Sequence, residues 1–306
     1  TDKAGRSRNN NICFIFIQNY ISIVFMLIYI LLHSINKIYI WNPMNSINKI
    51  KITALIVARN EEKHIKECIE SLNTIDEIIL LLDRTTDNTI NIAKNFNCTI
   101  FEGSWESEGN RRNEGIEKCS NNWILEIDAD ERANKELIKE AKNKINLLKD
   151  SNKGYFLIPF DNYIGKKRVR YGWGASWGVS SKPCLFNKNS KTWGIETIHP
   201  SLILKHKHGF LKNRIDHYVD NNISDMIHRL DRYTNARAYD IRKSSKKIPP
   251  LWITIRRALT RFYKCYITRK GYKEKGWGFL NATFAALFVL ISYLKADLED
   301  NNQPKF

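Results

Sequence analysis

WILEIDADE, residues 123–131, is the stretch from which the rest of the chain is best read. Trp123, Ile124, Leu125 and Ile127 form an apolar run of strand length, and the run delivers Asp128 and Asp130 at its carboxyl end, with Glu131 next. Open α/β sheets gather their ligands at the carboxyl ends of strands, so acids placed there face a cleft. Two carboxylates at this spacing suit Mg²⁺ or Mn²⁺, hard cations that take oxygen ligands and keep positions for phosphate. A cation held this way neutralises charge developing on a departing phosphate. Asp128 and Asp130 are therefore the expected metal ligands.

On either side of this stretch, apolar runs alternate with amphipathic ones. Strands are predicted over 51–58, 76–82 and 98–101, with helices over 61–72, 87–96 and 108–119 between them. After the acidic strand a helix is predicted over 133–149 and a strand over 154–160. This alternation is the signature of an α/β layered domain. Residues 161–215 read as hairpins and loops, and Ile223, Ile227, Leu230, Tyr233, Ala238 and Ile241 recur at helical spacing over 223–242. A basic helix over 251–269 follows Pro249-Pro250.

Three further segments fall at strand ends or beside them. In LIVARNEE (55–62), Arg59, Asn60 and Glu61 stand where a strand turns into a helix, a place for a ribose, base or phosphate as well as for ordinary capping. Asp83 ends the next strand and can accept hydrogen bonds from a nucleobase or ribose. GNRRNEGI (109–116) presents Arg111, Arg112 and Asn113; the planar guanidinium fork matches diphosphate oxygens.

These four segments, in this order and spacing, resemble family 2 glycosyltransferases with the GT-A fold, in particular the lipopolysaccharide core β-1,4-glucosyltransferase-like branch. The resemblance covers about residues 51–297. It implies a Rossmann-like nucleotide-diphospho-sugar transferase domain, with Arg59, Asn60, Glu61 and Asp83 lining the nucleoside pocket, Arg112 and Asn113 beside the diphosphate, and Asp128 and Asp130 at the metal. It implies a metal-dependent, inverting transfer from a nucleotide-sugar, a UDP-sugar first among donors, to a lipid-linked or lipopolysaccharide-core saccharide. The family's longer Asp-x-Gly-Ser-Thr-Asp turn is changed here, where Arg84 and Thr85 replace part of it. On the acceptor side, many relatives carry Val-His-Glu where this chain has Ile198-His199-Pro200. An inverting transfer needs a base within hydrogen-bond reach of the acceptor hydroxyl. Glu196 is the first candidate and His199 the second, with Asp161 and Asp216 behind them.

Lys and Arg number 49 against 32 Asp and Glu, a net charge of +17 that favours an anionic partner. Residues 12–32 are apolar over a span's length, which predicts a single N-terminal transmembrane anchor. The alternative is that residues 1–43 are an extension foreign to the natural protein, since Met44 stands just before the first strand. The second apolar run, 277–294, is slightly short for a span; Trp277, Tyr293 and flanking lysines suit a helix at an anionic membrane surface, with a buried core helix as the alternative. The expected organisation is a leader over 1–43, a catalytic domain over 51–215 and a helical membrane-associating region over 216–300. The expected place is the cytoplasmic face of the inner membrane, peripheral or held by the N-terminal span. Six scattered cysteines form no metal-binding pattern. A nucleotidyltransferase would carry a Gly-rich loop after its first strand, where this chain has ARNEE. A non-enzymatic membrane- or nucleic-acid-binding protein would string its cations along a groove with stacking aromatics, whereas many here flank the C-terminal apolar run, so no nucleic acid is expected.

Overall fold

Seven apolar or small residues in a row, Ile52–Ala58 (β1), are all buried, as a central parallel strand covered on both faces requires. Around it the computed structural model describes residues 50–173, 180–195, 200–244 and 248–299. Four helical positions, 24 and 26–28, belong to a separate unit, Thr1–Lys49; the unit followed below is Ile50–Phe306.

The chain continues through α1 (Ile65–Ser71), β2 (Glu77–Asp83), α2 (Thr89–Ala93), β3 (Thr99–Gly103), α3 (Glu108–Lys118) and β4 (Trp123–Ile127). These four strands are parallel in the order β3-β2-β1-β4, so the carboxyl ends of β1, β2 and β4 share one edge. Leu80, Leu81 and Leu82 are fully buried, each stabilising the layer by about 1.5–3 kcal/mol. Helix α3 lies close on the sheet because Gly115 has no side chain: a Cβ there would stand 2.8 Å from Leu55 Cδ1. At Gly109 a Cβ would stand 1.7 Å from the Gly194 carbonyl oxygen, so only glycine permits that approach.

After the acidic turn the predicted helix does not begin at once. A short strand, β5 (Glu131–Ala133), comes first, and α4 (Lys135–Asn146) starts at Asn134, whose side chain accepts from Leu137 N at 2.8 Å. A strand this short has no periodicity to read; its partner lies far along the chain. The remaining strands are β6 (Tyr155–Ile164), β7 (Lys167–Val169), β8 (Ser181–Asn187), β9 (Lys191–Trp193), β10 (Leu202–Leu204), β11 (Lys207–Phe210) and β12 (Ile215–Asp220). The sheet continues as β4-β8-β6-β12-β5, with β8 antiparallel to both neighbours, β12 parallel to β6 and β5 antiparallel to β12; β7 and β11 also pair with β6, and β9 and β10 form a separate antiparallel pair. The result is a mixed sheet, all parallel over β3-β2-β1-β4 and mixed beyond β4.

Helices α5 (Ile223–Lys243), α6 (Leu251–Tyr263) and α7 (Gly276–Leu298) form the C-terminal part, with α7 packed on both others. Ile164, Val169, Met226, Leu230, Ala282, Phe284 and Ala285 make a second core between them and the sheet's end. The expected N-terminal membrane span is corrected here. Among the described residues the helix long and apolar enough to cross a membrane is α7, at the opposite end of the chain, with a mean hydropathy of 1.7. The helix runs past both ends of the apolar stretch 277–294, and its 23 residues reach about 34 Å at 1.5 Å per residue, enough for a hydrocarbon core. Residues 12–32, apart from positions 24 and 26–28, lie outside the described residues. On α6, Trp252, Ile255, Leu259 and Tyr263 form an exposed apolar stripe one turn apart, beside exposed Arg256 and Arg257.

Candidate active site

The turn after β4 is pinned from two sides. Asp128 N donates to Glu131 Oε2 (3.1 Å), Glu131 N to Asp128 O (3.0 Å), and Tyr218 N of β12 to Asp130 O (2.9 Å). Asp128 then meets a cation on each oxygen: Arg112 Nη2 at 2.9 Å and Lys182 Nζ at 3.0 Å. Lys182 also bridges to Glu131. Arg112 continues to Glu126 (2.7 Å) and Glu108 (2.8 Å), with its guanidinium over the Trp193 ring, and buried Lys191 closes on Glu126 at 3.1 Å. Burial opposes ionisation of Asp128, but Lys182 and Arg112 outweigh it and hold the carboxyl well below the usual carboxylate range. Glu131 is pushed up to about 7 by burial and by the charge of Asp128.

Asp130 is differently placed. Its side chain is 34% exposed and faces His217 Nε2 at 3.4 Å. Sheet register puts His217 opposite Glu131 on one side and Asn162 on the other, so the three side chains share a face. His217 Nδ1 donates to Asn162 Oδ1 at 2.9 Å, leaving Nε2 turned to Asp130. Asp130, Glu131 and His217 present ligand atoms that all lie within 4.8 Å of one another. Two carboxylates and an imidazole fixed by an outer hydrogen bond fit a divalent cation. Both oxygens of Asp128 already have cationic partners, so direct ligation there would displace Lys182 or Arg112.

A cavity of 350 Å³ beside Asp130 is lined also by Asn60, Glu61, His228 and Arg232. Glu61 is pushed up to about 7 by burial first, then by Asp130 and Asp128. Its backbone N donates to Thr89 Oγ1 (2.8 Å), while Asn60, at φ 56°, accepts from Thr86 N (2.8 Å). The loops after β1 and β2 are thereby tied together. Arg59 is half-buried at the end of β1.

Asp83 is buried and holds Arg84 through Nε (2.8 Å) and Nη2 (2.9 Å), with Arg111 Nη1 at 3.4 Å. Burial works against its charge, and these donors prevail, keeping the carboxyl below its ordinary value. Asn113 uses both ends of its amide on the Trp193 backbone, Nδ2 to O at 2.8 Å and Oδ1 from N at 2.9 Å, tying α3 to β9. Asp161 accepts from Arg168 (2.5 Å) and Arg214 (2.6 Å), and burial pushes the Asp216 carboxyl up. Glu196 and His199 lie outside the described residues.

Lys182, His217, Glu126 and Lys191 were not legible as site residues. Glu126 had a signal: an acid inside the buried strand WILEI demands a buried cation. Lys182 and His217 had none, because each reaches the site only through strand pairing.

A parallel sheet with acids at its strand ends, extended by a mixed half that folds a histidine onto them, defines a transferase of the GT-A type. The family model for Glycosyl transferase family 2 matches residues 53–204, and this domain belongs to that family; the protein is a glycosyltransferase. Over 275 residues the chain is 24% identical to an uncharacterized glycosyltransferase of Rickettsia conorii, covering 82% of this chain and 93% of that one. LpsC, a lipopolysaccharide core biosynthesis glycosyltransferase of Rhizobium meliloti, is 31% identical over 96 residues, 30% of this chain and 36% of that protein. Among solved structures, S. aureus TarS in complex with UDP-GlcNAc aligns over 81% of each chain with 15% identity and a TM-score of 0.44.

Proposed function

We propose that the chain moves a sugar from a nucleotide-sugar, with a UDP-sugar as the first donor to test, to a hydroxyl of a lipid-linked or lipopolysaccharide-core saccharide, inverting the anomeric centre. The observation that carries this reading is the grouping of Asp130, Glu131 and His217 beside Asp128, at the carboxyl edge shared by β1, β2 and β4. Asp130 and His217 would hold Mg²⁺ or Mn²⁺. When bound, such an ion supplies Lewis-acid stabilisation of the nucleoside diphosphate that leaves.

The chain's own groups do the rest. Arg112 and Lys182 keep Asp128 ionised and oriented, and they bring positive charge to where phosphate oxygens would gather. Asn60, Glu61 and Asp83 border the nucleoside side. Glu196, with His199 second, takes the proton from the acceptor hydroxyl; its oxygen bonds to the anomeric carbon from the face opposite the leaving group, and the carbon–oxygen bond to the diphosphate breaks with its electron pair. The likeness to LpsC supports a lipopolysaccharide-core acceptor. The exposed stripe of Trp252, Ile255, Leu259 and Tyr263, beside Arg256 and Arg257, supports work at an anionic membrane surface.

The test is nucleoside diphosphate release from a panel of nucleotide-sugars, with and without Mn²⁺. Metal-dependent release from one donor is expected. Release of pyrophosphate from NTP plus sugar phosphate, with no nucleotide-sugar turned over by the folded protein, would overturn the reading.

A further inference from the structure

A second cavity, of 760 Å³, opens between β6, β7 and the segment preceding α7. That volume is in the range of small-molecule sites. Two of its lining residues also touch the carboxylate site. Asn162 accepts from His217 Nδ1, and His217 faces Asp130. Phe160 lies under Lys182 Nζ at 5.1 Å, and Lys182 bonds Asp128. The cavity is thus one side chain away from both acids of the Asp-x-Asp turn.

Its charge is lopsided. Arg168, Arg170, Arg214 and Arg269 line it against one carboxylate, Asp161. Arg168 and Arg214 converge on the same Asp161 oxygen, so a single negative charge holds two guanidiniums in place. Arg168 Nε is buried with no hydrogen-bond partner among the described residues. Arg269 is oriented by donating from Nη1 to Trp173 O at 2.9 Å. Positioned guanidiniums in such excess, in a cleft and not on an open helix face, match the planar oxygens of a phosphate or carboxylate. Trp173 and Tyr171 stand in the same wall.

We infer that this cavity is the acceptor side of the active site and that it recognises an oxyanion, a phosphate or carboxylate, carried by the acceptor saccharide. The inference rests on the transferase reading above for the word acceptor, but the ligand chemistry is set by the arginines. A saccharide is favoured over a lipid headgroup because the cavity borders the metal-binding group, whereas the exposed apolar stripe is on α6.

The experiment titrates the full chain with hexose 6-phosphate and with the neutral hexose, following tryptophan fluorescence or calorimetric heat. Hexose 6-phosphate should bind at least ten-fold more tightly than hexose, and Arg170→Gln and Arg214→Gln should each weaken it several-fold, the pair together ten-fold or more. Arg170 has no side-chain ion pair among the described residues, so Arg170→Gln keeps the test open if Arg214→Gln fails to fold. Equal affinity for the two sugars, or unchanged binding in the variants, overturns the inference. So does loss of sedimentation with phosphatidylglycerol vesicles in place of loss of sugar-phosphate binding, which would make the arginines a headgroup site. Nucleotide-sugar hydrolysis by the wild-type chain is measured alongside: its failure would strike the transferase reading alone, while the sugar-phosphate titration decides the chemistry of the cavity.

Discussion

Lys182 Nζ stands 3.0 Å from Asp128 Oδ2, across the junction where parallel β4 meets antiparallel β8. The pairing Leu125↔Leu185, continued in antiparallel register, brings the two residues opposite each other. Asp128 is consequently a carboxylate neutralised from both sides, and Asp130 is the acid of the pair that faces the cavity.

Removing Lys182 should leave Asp128 and Glu131 crowded without their shared cation. Breaking a fully buried pair costs about 3–5 kcal/mol; Lys182 and Asp128 are each about 30% exposed, so Lys182→Met is expected to lose about 2 kcal/mol in urea unfolding. Added Mn²⁺ should recover part of that loss. A stability equal to wild type would show that the bridge is dispensable.

Asp130→Ala removes a side chain whose ion-pair partner among the described residues is His217, so the fold should survive with a change under about 1 kcal/mol. Binding to the folded state raises the melting temperature; wild type should gain stability with Mn²⁺ and the variant should not. Retention of the Mn²⁺ shift in Asp130→Ala would move the metal away from this turn.

Glu140 gives a pH dependence that does not involve the site. Its carboxylate accepts from Lys212 N (2.7 Å), Asn213 N (2.8 Å) and Asn213 Nδ2 (2.8 Å), fastening α4 to the approach of β12. Burial raises its pKa, the Asn213 and Lys212 donors lower it more, and the net direction is below the ordinary 4.5. For an acid depressed in the folded state, the stabilisation is present above the unfolded pKa and is lost as pH falls through the folded one. Glu140→Gln should therefore cost about 1 kcal/mol at pH 7, with the gap to wild type closing as pH drops below the unfolded value. A gap that stayed constant under acid would refute this account.

On α6, Trp252→Asp with Leu259→Asp should abolish co-sedimentation with anionic vesicles. Both side chains are exposed, so unfolding free energy should shift by no more than about 0.5 kcal/mol per site. Undiminished vesicle binding would exclude the stripe as the contact.

The parallel half of the sheet and the place of the acids are legible in the order of residues alone. A buried parallel strand such as Ile52–Ala58 must be apolar throughout, and a chain that alternates such runs with amphipathic stretches has few other ways to bury them. Asp128 and Asp130 were visible because they end such a run. Which neighbours those acids have is set by the folded chain. Lys182, Glu131 and His217 arrive through the pairings of β8 with β4 and of β12 with β5 and β6, and strand register is a long-range choice that no local pattern encodes. Asn113, which the family resemblance places beside the diphosphate, bonds the Trp193 backbone through both ends of its amide, a contact that exists because β9 packs against α3. Membrane affinity had the same limit. Hydropathy located two apolar runs, but the helix that carries the second one continues past both of its ends, and that gave α7 the reach of a span.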